Sequence, residues 1–215
     1  MIIEARYNGP PDSGNGGWSA GVFASAYGGS GPVEVTLRRP PPLDVPLTLT
    51  EGRVYDPTGE VVAQLGAAEP FDVVAPPVDP ATARSASAAY PGLVGHPFPG
   101  CFVCGPERAD GLRIFPGPQP EGRTAAPWRV PERVEVATVW AALDCPGGWT
   151  VLGADRPYLL GRIATQVEAL PEPGTECVVT GVVIAMQGRK ALVHTSLFAP
   201  EGDLLAHARA TWIAV

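Results

Sequence analysis

Asp144 sits where a carboxylate is hardest to accommodate. It ends an apolar run inside VATVWAALDCPGGW, residues 136–149. An acid in that setting costs free energy unless it is paired or used. If used, it can activate water as a general base, or attack a carbonyl directly to give an anhydride. The alternative is structural: Asp is common at turns such as the Pro-Gly-Gly that follows, where it caps backbone N–H groups.

A second group of chemical interest is SGNGGWSAG, residues 13–21. Asn15 suits the N-cap of a helix starting near Gly17, and its amide could also orient a substrate or water. The amides of Gly17 and Trp18 would lie at the positive end of that helix, with Gly allowing a carbonyl to approach the backbone. Such donors stabilise a developing oxyanion. The same stretch contains Gly-x-Ser-x-Gly, but a nucleophile elbow needs a buried strand just before it. NGPPDSGNG cannot be one, so Ser19 is not expected to be a nucleophile, even with His96, His194 and His207 downstream.

Cys101-x-x-Cys104 is half of a zinc site. Cys145 and Cys177 lack the spacing of a second pair, although His96 is near in sequence. The expectation is therefore no metal centre, with Cys101 and Cys104 as the residues that would begin one. No phosphate-binding glycine loop follows a buried strand, and no cofactor is implied.

The elements that must position these groups come from comparing the chain with itself. PTGEVVAQLGA (57–67) and PEGDLLAHARA (200–210) share one turn-then-strand pattern. The order around them repeats: a helix, then three or four runs rich in Val, Ile, Leu and Thr with short turns, twice. Short turns argue for antiparallel hairpins rather than parallel βαβ units. IIEARY (2–7) and LRIF (112–115) would be leading strands. The expected organisation is an N-terminal lobe over 1–75, a loop-rich connector over 76–111 carrying the CxxC, and a C-terminal lobe over 112–215. Each lobe would be an antiparallel sheet wrapped on one central helix, an α+β fold whose two sheets could join edge to edge and hide their edges.

This pattern, with HPFPGCFVCGPERADGLRIF and VATVWAALDCPGGW, resembles the double-hotdog proteins of the thioesterase superfamily, closest to actinobacterial members similar to phenylacetyl-CoA-type thioesterases. The resemblance implies a loop ending in His-Gly-Gly or a variant at the start of the helix, with an acid seven residues after the second Gly. The first lobe has Asn15-Gly16-Gly17 but Ala24 at the acid position; the second has Glu135-Val136-Ala137 but Asp144 there. One composite site per chain is then implied, with Asn15, Gly17, Trp18 and Asp144 as catalytic groups and Gly16, Trp140 and Phe23 lining the substrate pocket. The implied activity is hydrolysis of acyl-CoA or a related thioester; the alternative is a hotdog protein that binds an acyl or other apolar ligand without turnover.

Bulk properties bound these expectations. The 215 residues are 45% apolar and 17% charged, enough for a sizeable core. A net charge of −7 without a basic run argues against a nucleic-acid or anionic-membrane partner. No apolar stretch reaches the length of a membrane span and the N-terminus lacks a secretory pattern, which points to a cytoplasmic protein with reduced thiols. A homodimer or higher homo-oligomer is compatible with the sequence.

Overall fold

A computed structural model describes residues 1–215 except 30, 73 and 153–156. After a 3₁₀ turn at Ala5–Tyr7 come α1 (Gly16–Tyr27), β1 (Val33–Leu37), β2 (Thr48–Thr50), β3 (Arg53–Tyr55) and β4 (Val61–Ala67). Two helices, α2 (Pro80–Ala88) and α3 (Gly92–Gly95), lead to β5 (Gly117–Gln119) and β6 (Arg123–Arg129). Then follow α4 (Val136–Ala142), α5 (Cys145–Gly148), β7 (Tyr158–Val167), β8 (Glu176–Gln187), β9 (Lys190–Phe198) and β10 (Leu204–Ala214).

The strands form one antiparallel sheet in the order β2-β3-β4-β1-β7-β10-β9-β8-β6-β5. In each half the first strand after the helix lies beside the last: β1, following α1, pairs with β4, and β7, following α4 and α5, pairs with β10. The halves meet where β1 runs antiparallel to β7, with Val33 opposite Thr165 and Val35 opposite Ile163. Period-2 alternation is visible in β1, whose Val33 and Val35 face the core. The sheet is therefore continuous across both halves, and the fold is α+β.

Helix α1 is apolar almost all round and correspondingly buried over Gly17–Gly21 and at Phe23 and Ala24. It packs on α4 and on β1. The approach of α1 to α4 is set by two glycines one turn apart. A Cβ on Gly17 would lie 2.5 Å from Asp144 Cβ and 2.6 Å from the Trp140 carbonyl oxygen; one on Gly21 would lie 2.7 Å from Ala137 Cα. GWSAG is thus a helix-packing signature of small residues four apart, not an elbow. Ser19, with no exposed surface, lies inside α1.

Three sequence expectations are corrected. IIEARY forms no strand: Ile3 is buried, but the segment closes into the 3₁₀ turn, whose Ala5 amide donates to Asp44 Oδ1. LRIF pairs with the connector instead of the sheet, since the Leu112 and Ile114 amides donate to the carbonyls of Phe102 and Val103. The connector itself contains regular structure: α2 begins with Pro80 at its first turn, and Asp79 accepts from the amides of Ala81 and Thr82. Among the described residues no helix is long and apolar enough to cross a membrane.

Candidate functional site

The loop before α1 is tied down from three sides. The Asn15 amide donates to the Tyr7 carbonyl (2.7 Å), Gly14 donates to Pro41, and the Phe102 amide of the connector donates to Asn8. The Tyr7 ring stacks on Trp18 with centroids 3.6 Å apart, and Phe102 meets both edge-on. Asn15 then caps α1: its Oδ1 accepts the Trp18 amide at 2.8 Å.

Asp144 approaches from the other half of the chain. Only 2% of it is exposed. Its Oδ2 accepts two hydrogen bonds, from Asn15 Nδ2 at 3.0 Å and from the Gly17 amide at 2.9 Å. Oδ1 is buried and has no partner among the described residues. Asp144 precedes α5, yet its side chain makes no bond to that helix, so the turn-capping alternative fails. Burial pushes its pKa up to about 7, against the lowering effect of the Gly17 and Asn15 donors. An acid held near neutrality can take and return a proton. The unpartnered oxygen is a buried acceptor still to be satisfied, by water or substrate.

This carboxylate lies on the wall of a pocket of about 850 Å³. Asn15 and Gly16 share that wall, while Leu37, Leu160, Tyr158, Trp149 and Trp212 make much of it apolar, with Arg38 and Arg39 also on the lining. The mixture is that of a small-molecule site: apolar walls with a few convergent polar groups.

Sequence reasoning placed Asp144, Asn15, Gly16 and Gly17 in one region, and the structure brings all four together. Two assignments change. The amides of Gly17 and Trp18 are committed to Asp144 and Asn15 respectively, so neither is a free oxyanion donor. Among the described residues the Gly16 amide is the one at this helix start with no acceptor. Trp140 and Phe23 do not line the pocket; Trp140 packs under Gly21 and Phe23 is fully buried in the core. Of the pocket aromatics, Trp149 follows α5 directly, near the helices where a tryptophan lining is expected, while Tyr158 on β7 and Trp212 on β10 carry no such sequence signal. Tyr158 and Leu160 could have been found as alternate residues on one face of a strand.

The reciprocal positions do not form a second site. Glu135 starts α4, where Thr138 Oγ1 accepts the Glu135 amide, and Ala24 offers no acid. Cys101 and Cys104 do line the pocket, and Cys145, not foreseen as their neighbour, lies with them. Hydrogen bonds from the Cys104 and Cys145 thiols hold the Cys101 thiol well below its usual range, whereas burial pushes Cys104 up.

No family model matches the chain, and no curated protein is similar to it in sequence. Solved structures are similar in fold. A candidate thioesterase from Novosphingobium aromaticivorans superposes with a TM-score of 0.65 at 15% identity, covering 99% of this chain and 93% of that one. A conserved protein of unknown function with a hot dog fold, from Alicyclobacillus acidocaldarius, gives 0.65 at 15% identity over 100% and 91%. A candidate thioesterase II from Thermobifida fusca gives 0.61 at 14% identity over 100% and 91%. At these identities the likeness concerns architecture, and it spans the whole chain: the protein has the hotdog fold.

Proposed function

We propose that the chain is a tandem hotdog thioester hydrolase, with lobes over 1–75 and 112–215, each wrapped on one helix, α1 or α4. The observation that carries this reading is the bonding of Asp144 to Asn15 and the Gly17 amide across the α1–α4 contact, with Asp144 and Asn15 on the wall of the apolar pocket. Asp144 Oδ2 is fixed by two donors, which orients the carboxylate and leaves Oδ1 to act. Oδ1 takes a proton from water, or attacks the thioester carbonyl itself. The Gly16 amide supplies the free donor for the oxygen that gains charge. The Asn15 amide positions the carboxylate.

The substrate class follows from the lining. Leu37, Leu160 and Trp212 accept an apolar acyl group, and Arg38 and Arg39 suit an anionic carrier such as the phosphates of CoA. The relatives of similar fold that are described as candidate thioesterases support the same class of reaction.

The test is loss of thioester absorbance across a panel of acyl-CoAs, run beside calorimetry on the same panel. Turnover of at least one apolar acyl-CoA is expected. Saturable binding throughout without release of CoA would replace the hydrolase with a binding protein, a reading to which the apolar walls also lend themselves.

A further inference from the structure

Three of the four cysteines converge on one point. Cys101 and Cys104 come from the connector and Cys145 from the junction of α4 and α5, yet their Sγ atoms all lie within 4.8 Å of one another. All are buried and all are free thiols. Buried cysteine often packs as a small apolar side chain, but packing does not require three sulfurs to meet.

The local backbone is built to present them. Within CFVCG the Gly105 amide donates to the Cys101 carbonyl at 2.9 Å, closing a tight turn that puts both sulfurs on one side. A Cβ on Gly105 would lie 2.4 Å from the Pro99 carbonyl oxygen and 2.5 Å from the Cys101 nitrogen, so only glycine fits there. Polar donors surround the sulfurs. His96 Nε2 is 3.2 Å from Cys104 Sγ, and Asn15 Nδ2 is 4.0 Å from both Cys101 Sγ and Cys145 Sγ. His96 Nδ1 accepts the Phe98 amide at 2.8 Å, which places the ring proton on Nε2, facing the sulfur. Histidine is therefore an outer donor to a thiolate here, not a fourth ligand. Such outer-shell donors are what thiolate-ligated metals use.

From this convergence of sulfurs we propose that Cys101, Cys104 and Cys145 bind one zinc ion through three thiolates, with the fourth position facing the pocket. Three soft anionic ligands select zinc over hard cations. Tetrahedral zinc with Zn–S near 2.3 Å places sulfurs about 3.8 Å apart, so ligation asks each pair to close by at most about 1 Å. The three cysteines and His96 line the pocket, which gives the ion a path in. Binding releases the thiol protons to solvent, and no electron is transferred. The ion staples the connector to the residue next to Asp144, so it holds the carboxylate's backbone in place. This site stands whether or not the chain hydrolyses thioesters.

The experiment is elemental analysis of untagged protein purified without chelator, followed by removal of the metal and titration with zinc and with cobalt. About one zinc per chain is expected, a thiolate-to-cobalt charge-transfer band on cobalt loading, and three sulfur neighbours by X-ray absorption at the zinc edge. Cys145→Ser weakens zinc by on the order of 100-fold, the size reached even by outer-shell changes. Cys177→Ser, on β8 and outside the cluster, leaves it unchanged. Asp144→Asn keeps the zinc while losing hydrolysis, which separates this site from the proposed activity. Wild-type protein that takes up neither ion, or X-ray absorption showing no sulfur neighbours, overturns the proposal without recourse to a variant that could misfold. Full zinc affinity in a folded Cys145→Ser variant overturns it as well.

Discussion

Replacing Gly17 with alanine tests the α1–α4 contact on which the site depends. The added Cβ would sit 2.5 Å from Asp144 Cβ, 2.6 Å from the Trp140 carbonyl oxygen and 3.1 Å from Ala141 Cα. Carbon atoms pack at about 3.5–4.0 Å, so the helices must separate by about 1 Å. Overpacking of this kind costs about 1–3 kcal/mol. The same shift stretches the bonds of 2.9 Å and 3.0 Å to Asp144 beyond hydrogen-bonding range, leaving a buried carboxylate with fewer donors. A total of about 3 kcal/mol corresponds to a melting temperature about 6–12 °C lower for a chain of this size. Misplacing the carboxylate by about 1 Å costs about 100-fold in turnover. Melting curves and acyl-CoA hydrolysis read both effects. Gly21→Ala, whose Cβ would meet Ala137 Cα at 2.7 Å, should lose similar stability but less activity, and Gly66→Ala, with open space around it, should lose neither. Wild-type melting and turnover in Gly17→Ala would refute the contact as the device that sets the site.

Other substitutions separate roles within the same region. Asn15→Ala removes the cap on the Trp18 amide and one donor to Asp144; it should cost about 1–2 kcal/mol in denaturant melts and lower kcat more than it raises KM. Ser19→Ala deletes a buried hydroxyl with no partner among the described residues, so stability should hold or rise by up to about 1 kcal/mol and turnover should not change; loss of turnover would restore Ser19 as a nucleophile. Burial, with Arg209 adding, holds the His194 pKa below its usual value; burial does the same to His207, against the opposing pull of Glu168 and Asp72. The unfolded chain then takes up these protons first, so their contribution is complete above about pH 6.5 and declines as pH falls below it. Asp144, with its pKa raised, acts in the opposite sense, stabilising below its unfolded pKa and losing that effect as pH rises through about 7. The comparison must therefore be with a His194→Leu/His207→Leu variant: wild type should lose stability relative to it between pH 7 and pH 5.5, and parallel curves would dismiss the histidines.

Much of this architecture was legible because hairpin turns and period-2 strands are local signals. PTGEVVAQLGA leads into β4 and PEGDLLAHARA into β10, each of which pairs with the strand that follows its helix, β1 or β7. What escaped was non-local or disguised. β6 is disguised in the sequence by the Pro127 of RTAAPWR; β5 covers β6 only through Ala125, so that proline meets no ladder partner on the β5 side. The Pro and Gly content around α2 reads as loop, although Asp79-Pro80 is a helix start. The acid at 144 and its partner loop were visible from sequence; which amides remain free was not, because it depends on how α1 seats against α4. Trp140 and Phe23, pocket residues by the resemblance, are turned into the core by helix geometry. Cys145 escaped because a spacing rule looks for a second Cys pair and cannot see a lone cysteine brought in by the fold.

The central claim is that Asp144, held by Asn15 and Gly17, does the chemistry. Its most direct test is kcat/KM of Asp144→Asn against wild type on the best acyl-CoA of the panel, with folding checked by melting. Asparagine keeps the shape and, with its Oδ1 turned toward Asn15 Nδ2 and the Gly17 amide, both accepted bonds, but it cannot act as base or nucleophile, so the account expects a folded protein with kcat/KM lower by about 100-fold to 10,000-fold. A folded Asp144→Asn variant that cleaves the thioester at the wild-type rate would contradict it.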